Sequence, residues 1–186
     1  LSLNAQTDTA FSALQSLGAQ VQAAPVARLV AAPVPAQPRL SVLLASDIQA
    51  KKIEVIDRAD RSTVTIQGDG MFSAGSGEVQ SDYNPLLVRI GTALAQVPGT
   101  VVISGHTDSV PIRSLQFPSN WHLSKARSLS VRDLLTEQVE TARMRVEGRA
   151  ETEPVADNAT AEGRARNRRV EIVLTPTATN DAGGLR

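Results

Sequence analysis

The apolar positions of this chain change period several times, and each change predicts an element. Leu40, Leu43, Leu44 and Ile48 recur at helical spacing and predict about three turns of helix ending near Lys51-Lys52. Two alternating segments follow, Ile53-Glu54-Val55-Ile56-Asp57 and Ser62-Thr63-Val64-Thr65-Ile66-Gln67. The polar Arg58-Ala59-Asp60-Arg61 between them predicts a hairpin. Gly68, Gly70, Gly75 and Gly77 then punctuate an irregular loop around Met71-Phe72. Asp82 can open a helix carrying Pro85, Leu86, Leu87, Ile90, Leu94 and Val97, with proline tolerated in the first turn and Pro98-Gly99 as the stop. The run Thr100-Val101-Val102-Ile103-Ser104 predicts a strand buried on both faces. A helix from Ser124 to about Val139, a strand from Met144 to Glu147 and a last strand from Val170 to Leu174 complete the pattern.

Helices alternating with strands after an opening hairpin argue for an α/β (α+β) two-layer sandwich, with two main helices covering one face of a mixed sheet. Upstream, Phe11, Leu14, Leu17 and Val21 follow Thr7 and Asp8 at the spacing of a short amphipathic helix. From Ala24 to Arg39 the composition shifts to Ala, Pro, Gln and Val, and Pro25, Pro33, Pro35 and Pro38 favour an extended path. As polyproline II that linker would reach roughly 50 Å. The expected division is therefore a tail and linker over 1–39, a folded domain over 40–176 and a polar, frayed tail over 177–186.

Two arginines break the hydrophobic pattern. Projected at the helical angle, Leu123, Ala126, Val131, Leu134 and Leu135 form one stripe, and Arg127 falls near its middle. An unpaired guanidinium there would cost several kcal/mol, so Arg127 must meet water, a carboxylate or a ligand. In the last strand, alternation back from Leu174 through Ile172 and Val170 sets Arg168 on the same core-directed face, although an arginine at a strand entrance can also snorkel to solvent. Asp108 lies just past the strand at Thr100 to Ser104, where the loops of an α/β layer gather binding groups. It is the natural partner of Arg127, either as a structural salt bridge or as the other half of a site for a ligand bearing both charges.

Composition narrows the chemistry. The 186 residues carry nineteen basic and nineteen acidic side chains, so no global field draws the chain to nucleic acid or an anionic surface. The lack of cysteine removes disulfides and thiolate metal sites, and two histidines, His106 and His122, are too few for a multi-histidine zinc site. No metal and no cofactor is expected. His106 with Ser104, Thr107, Ser109 and Asp108 makes a triad imaginable, but residues crowded into one strand end point in alternating directions, and no nucleophile elbow accompanies them. The expectation is binding rather than catalysis, with a hydrolase as the competing idea. No apolar run approaches the roughly 20 residues of a spanning helix. The chain begins with Leu1 rather than methionine, which suits a piece of a longer protein with a membrane anchor upstream.

Three segments carry a resemblance: Val101-Val102-Ile103-Ser104-Gly105-His106-Thr107-Asp108, then Asn120-Trp121-His122-Leu123-Ser124-Lys125-Ala126-Arg127, then Gly163-Arg164-Ala165-Arg166-Asn167-Arg168-Arg169-Val170-Glu171-Ile172. In this order they resemble the signature of OmpA-like, peptidoglycan-binding domains, over about Leu40 to Pro176. The resemblance implies a βαβαββ domain that holds diaminopimelate of the peptidoglycan stem peptide, whose side chain ends in an ammonium and a carboxylate on one carbon. It implies that Asp108 accepts the ammonium and Arg127 engages the carboxylate. It also implies that Asn120, Thr107, Leu123 and Arg168 line the site, that Phe72 and Ser73 approach from across it, and that Asn167 orients its neighbouring strand without touching ligand. The loop Ser109 to Ser119 is longer than in many members and resembles flagellar stator proteins of the MotB kind and the extended TssL proteins of type VI secretion. The Pro/Ala/Gln-rich linker and the Met71-Phe72-Ser73-Ala74-Gly75-Ser76-Gly77-Glu78-Val79 loop look more like TssL. The implied setting is the periplasmic part of an inner-membrane protein, with other secretion-complex proteins as partners and pairing with a second copy as a further reading. A flagellar stator anchor, or a dimerisation module that has lost peptidoglycan binding, are the alternatives.

Overall fold

The computed structural model describes residues 38–112 and 114–177. The predicted amphipathic helix near the amino terminus, nearly all of the linker and most of the polar tail lie outside the described residues. Five strands form one sheet: β1 (Glu54–Asp57), β2 (Ser62–Gln67), β3 (Gly99–His106), β4 (Met144–Ala150) and β5 (Arg169–Pro176). Their order is β1-β2-β5-β3-β4, with only the β3–β4 pair parallel. The mixed two-layer sandwich expected from the alternation is what forms. The βαβαββ core runs through β2, the helix α3 (Asn84–Ala95), β3, the helix α4 (Asn120–Leu135), β4 and β5. To it the chain adds β1 in front and a short helix, α5 (Ala161–Asn167), between the last two strands.

Alternation decides which face is covered. Val64 and Ile66 of β2, Val101 and Ile103 of β3, and Val170, Ile172 and Leu174 of β5 share one face and pack with Leu87, Ile90 and Leu94 of α3 and Val131 and Leu135 of α4. Burying each such side chain contributes on the order of 1.5–3 kcal/mol. The opposite face carries Thr63, Thr65, Arg169, Glu171 and Val173, with neither α3 nor α4 over it.

Several predicted boundaries move, each for a local reason. The helix expected from Leu40 to Lys52 is two, α1 (Leu40–Leu43) and α2 (Ala45–Gln49), broken where Leu44 leaves helical geometry at φ −110° and ψ 19°. Asp82 does not cap α3; it lies in a 3-10 turn, Ser81–Tyr83, and Tyr83 precedes the helix without a side-chain cap. Helix α4 begins at Asn120, four residues before Ser124, because Ser119 is extended and its carbonyl already accepts from Leu123 N. Strands β3, β4 and β5 each run longer than their apolar stretches, since ladder pairing needs only backbone groups. No helix among the described residues is long and apolar enough to cross a membrane.

Two glycines fix where α4 lies. A Cβ on Gly105 would collide with the Ser124 carbonyl, and one on Gly148 would crowd Lys125 Cβ and Trp121 O. Their absence lets the amino-terminal half of α4 sit directly on β3 and β4, with the small Ser124 and Ser128 wholly buried between them. Ser128 Oγ donates to Glu147 O at 3.0 Å, and Ala150 N donates to Ser124 Oγ at 3.1 Å. This contact sets the helix bearing Arg127 beside the strand end bearing Asp108.

Candidate ligand-binding site

The carboxyl end of β3, the first turns of α4 and the junction of α5 with β5 converge on one cavity of about 600 Å³. Thr107, Asp108, Asn120, Leu123, Arg127 and Arg168 all line it, and Phe72 closes it from the glycine-rich loop. Seven of the residues expected to meet ligand are thus brought together. Ser73 is exposed and stands outside the lining, where its hydroxyl accepts from Gln80 Nε2 at 3.4 Å.

Arg127 does not pair with Asp108. Its Nε donates to the carbonyl of Ser76 at 2.9 Å, and its guanidinium stacks 4.8 Å from the centroid of the buried Phe72 ring. Among the described residues its two terminal nitrogens find no hydrogen-bond partner and are left to the cavity. Burial pushes this guanidinium below its usual range; Asp69 and Asp108 oppose the shift and Arg168 adds to it. The helical projection called for water, a carboxylate or a ligand at Arg127. A backbone carbonyl and an aromatic face meet it instead, because the loop at 73–77 reaches the guanidinium where Asp108 does not.

Asp108 instead takes Arg168. Its Oδ2 accepts from Arg168 Nη1 at 2.6 Å, and its Oδ1 accepts from Val110 N at 3.0 Å. Arg168 also grips Asp69 with two parallel bonds, Nε to Oδ1 at 2.7 Å and Nη2 to Oδ2 at 2.6 Å. The pair with Arg168 holds Asp69 below the usual carboxylate range, and Asp69 chiefly, with Asp108, holds Arg168 above its ordinary value.

The loop after Asp108 is shaped by neighbours. Asn120 donates from Nδ2 to Val110 O at 3.0 Å and to Asp108 O at 3.4 Å, and its Oδ1 accepts from Ile112 N at 3.3 Å. Thr107 Oγ1 donates to Asp108 O at 2.9 Å. Leu123 supplies a buried apolar wall. Asn167 orients a loop rather than its strand: Oδ1 accepts from Val155 N and Ala156 N, and Nδ2 donates to Ala156 O and Asn158 Oδ1. Asn158 Oδ1 in turn accepts from Ser109 N, so Asn167 supports the Asp108 loop at one remove.

Two charged lining residues, Asp69 and Arg164, are absent from the expected set. Asp69 sits between Gly68 and Gly70, where the glycine spacing indicates only an irregular loop. The antiparallel register that pairs Gln67 with Arg169, and the bond from Gly68 N to Arg168 O, bring it beside Arg168. Arg164 lies on α5, a helix absent from the predicted elements, capped by Thr160 Oγ1 accepting from Gly163 N. It donates to Asn158 O and Ala159 O, closing the cavity rim.

A fold and a cavity of this kind have relatives. The OmpA family profile matches residues 71–168, just over half the chain. The chain belongs to the OmpA family. Among solved structures, this OmpA-family chain is similar to the cell wall anchor of the type VI secretion system from Pseudomonas aeruginosa, at 51% identity and a TM-score of 0.72, over 76% of this chain and 99% of the other. It is also similar to a MotB-like protein from Desulfovibrio vulgaris, at 26% identity and a TM-score of 0.69, over 74% and 90% of the two chains. Motility protein B of Bacillus subtilis is 39% identical over 116 residues, 61% of this chain and 44% of that protein. The chain thus spans less than half the length of that relative.

Proposed function

We propose that this OmpA-family domain binds peptidoglycan without cleaving it. It takes the end of the diaminopimelate side chain, and so ties an inner-membrane secretion complex to the cell wall from the periplasmic side. The observation that carries the reading is the Arg127 guanidinium, buried, held by one carbonyl and one ring, with its terminal donors left to the cavity that Asp108 also lines. A carboxylate completes that guanidinium, and an ammonium on the same carbon meets Asp108. Charge-assisted contacts of this kind contribute on the order of 1.5–3 kcal/mol each. Thr107, Leu123 and Phe72 shape the cavity, Asn120 and Asn167 hold its loops, Arg168 stands at Asp108, and Ser73 serves at the outer rim.

The secretion setting is supported by the likeness to the Pseudomonas aeruginosa anchor, which is stronger in identity than the likeness to MotB-like structures. The similarity to motility protein B favours a second reading, a flagellar stator anchor with the same ligand. In either setting the segment ending at Arg39 serves as the tether, and other membrane-complex proteins, with or without a second copy of this chain, are the partners.

Calorimetric titration with a diaminopimelate-containing muropeptide is expected to saturate, and Asp108→Ala and Arg127→Ala each to weaken it. A lysine-containing muropeptide, which lacks the terminal carboxylate, is expected to bind less well. Equal binding by the native protein and both variants would sink the ligand assignment. Release of soluble fragments from purified sacculi would overturn the non-catalytic part.

A further inference from the structure

The cavity holds a chain of alternating charges, Asp69, Arg168 and Asp108, in which the two acids are not equivalent. Asp69 grips Arg168 through two parallel bonds, whereas Asp108 shares a single contact with it. The Asp69 side chain is 52% exposed and that of Asp108 only 11%. Asp108 spends Oδ1 on Val110 N, so the oxygen most easily given to a ligand is Oδ2, which Arg168 occupies.

A ligand ammonium arriving at Asp108 therefore meets an arginine already in place. The outcome depends on what else that arginine holds. We propose that Asp69 is a positioning residue for ligand binding: it keeps Arg168 on its own bidentate pair, so that Arg168 can yield Asp108 Oδ2 to an incoming ammonium without losing its counter-charge. The inference rests on the diaminopimelate reading above.

Three consequences follow from charge and geometry. Bidentate carboxylate pairs hold an arginine more firmly and in a better-defined orientation than single contacts do, so the Asp69 side of Arg168 persists while the Asp108 side exchanges. Asp69 and Asp108 together offset the charges of Arg127 and Arg168, and Arg164 at the rim leaves the lining one positive charge in excess. Without Asp69 that positive excess grows by one charge beside the ammonium position, and Arg168 has Asp108 as its remaining carboxylate. The ammonium must then displace Arg168 from that partner, which raises the cost of binding.

The test is a double-mutant cycle read by muropeptide titration, with melting curves to confirm folding. Asp69→Asn is expected to weaken binding about tenfold, while Asp69→Glu stays within about threefold of the native protein because it can still pair with Arg168. In an Arg168→Gln background, Asp69→Asn is expected to cost nothing further, since Asp69 acts through Arg168. The same loss in both backgrounds would show that Asp69 acts on the ligand directly and would overturn the proposal, as would native affinity in Asp69→Asn. A second readout follows the Arg168 Nε–H resonance, expected to persist at saturating muropeptide; its disappearance on binding would show that the Asp69 pair is given up, and would likewise refute it. If the native protein does not bind the muropeptide, the ligand reading falls first, and the role of Asp69 falls with it.

Discussion

Arg127 and Arg169 are both buried, at 7% and 3% exposure, yet they belong to different kinds of site. On the sheet face opposite α3 and α4, Arg169 uses all three nitrogens: Nε donates to Glu171, Nη1 to Asn167 O and Nη2 to Glu153 O. In the cavity, Arg127 uses only Nε among the described residues. Arg169 is a strut with every nitrogen engaged. Arg127 is held in place with its valences open, the arrangement expected where a ligand completes the coordination. Burial alone does not separate these two arginines; the count of satisfied donors does.

The largest expected effect comes from breaking the strut. Arg169→Met leaves the partly buried Glu171 and two carbonyls without their donor and is expected to cost about 3–5 kcal/mol in chemical denaturation, while the folded fraction keeps its muropeptide affinity. A loss of affinity without a loss of stability would erase the distinction between the two arginines.

Acid offers a second way to probe this face of the sheet. His106 is fully buried beside Arg169, 3.9 Å from Glu171, with neither ring nitrogen hydrogen-bonded among the described residues. Burial first, and then the Arg169 charge, push its imidazole down to about 4. Because the unfolded chain takes up this proton near pH 6.5 and the folded chain resists it until about 4, stability is full above 6.5 and is lost as the pH falls through that window. The loss reaches about 3 kcal/mol. Asp47, Asp57 and Asp69, all held below their ordinary values, withdraw further stability only at lower pH. Denaturation midpoints measured from pH 7.5 to 4.5 check this, and a flat profile would mean that His106 has a stabilising partner when charged.

Arg127→Met is expected to invert the Arg169 result. Muropeptide affinity falls by about 2–3 kcal/mol, whereas the melting temperature holds or rises because a desolvated cation has been removed. Gly105→Ala couples the two regions: the added methyl meets the Ser124 carbonyl, costs about 1–3 kcal/mol, and moves α4 and Arg127 away from Asp108. Both stability and affinity are expected to fall together. At the small end, Asp60→Asn removes only an exposed pair with Arg61 and is expected to change neither measurement.

Local spacing was enough to show that Arg127 is out of place on an apolar stripe, since a helix of period 3.6 exposes the anomaly within two turns. Alternation likewise placed the hairpin and the strand cores, because side chains on a pleat change face at every residue. The family signature joined the ends of β3, α4 and β5 into one site. Helix α5 escaped notice because its residues, Ala161-Glu162-Gly163-Arg164-Ala165-Arg166-Asn167, carry no apolar stripe; a side-chain cap at Thr160 and the buried Asn167 hold it instead.

What the sequence by itself determined was therefore the list of elements with strong periodicity and the need of Arg127 for a partner. Which partner each charge takes was decided only by tertiary structure. Asp108 lies 19 positions before Arg127 and 60 before Arg168, yet it bonds to the more distant one. The reason is physical: ion pairing depends on distances of a few ångströms, and these are set by strand register and by the close seating of α4 on Gly105 and Gly148. Asp69 shows the same rule, since only the β2–β5 register brings that glycine-flanked acid to Arg168.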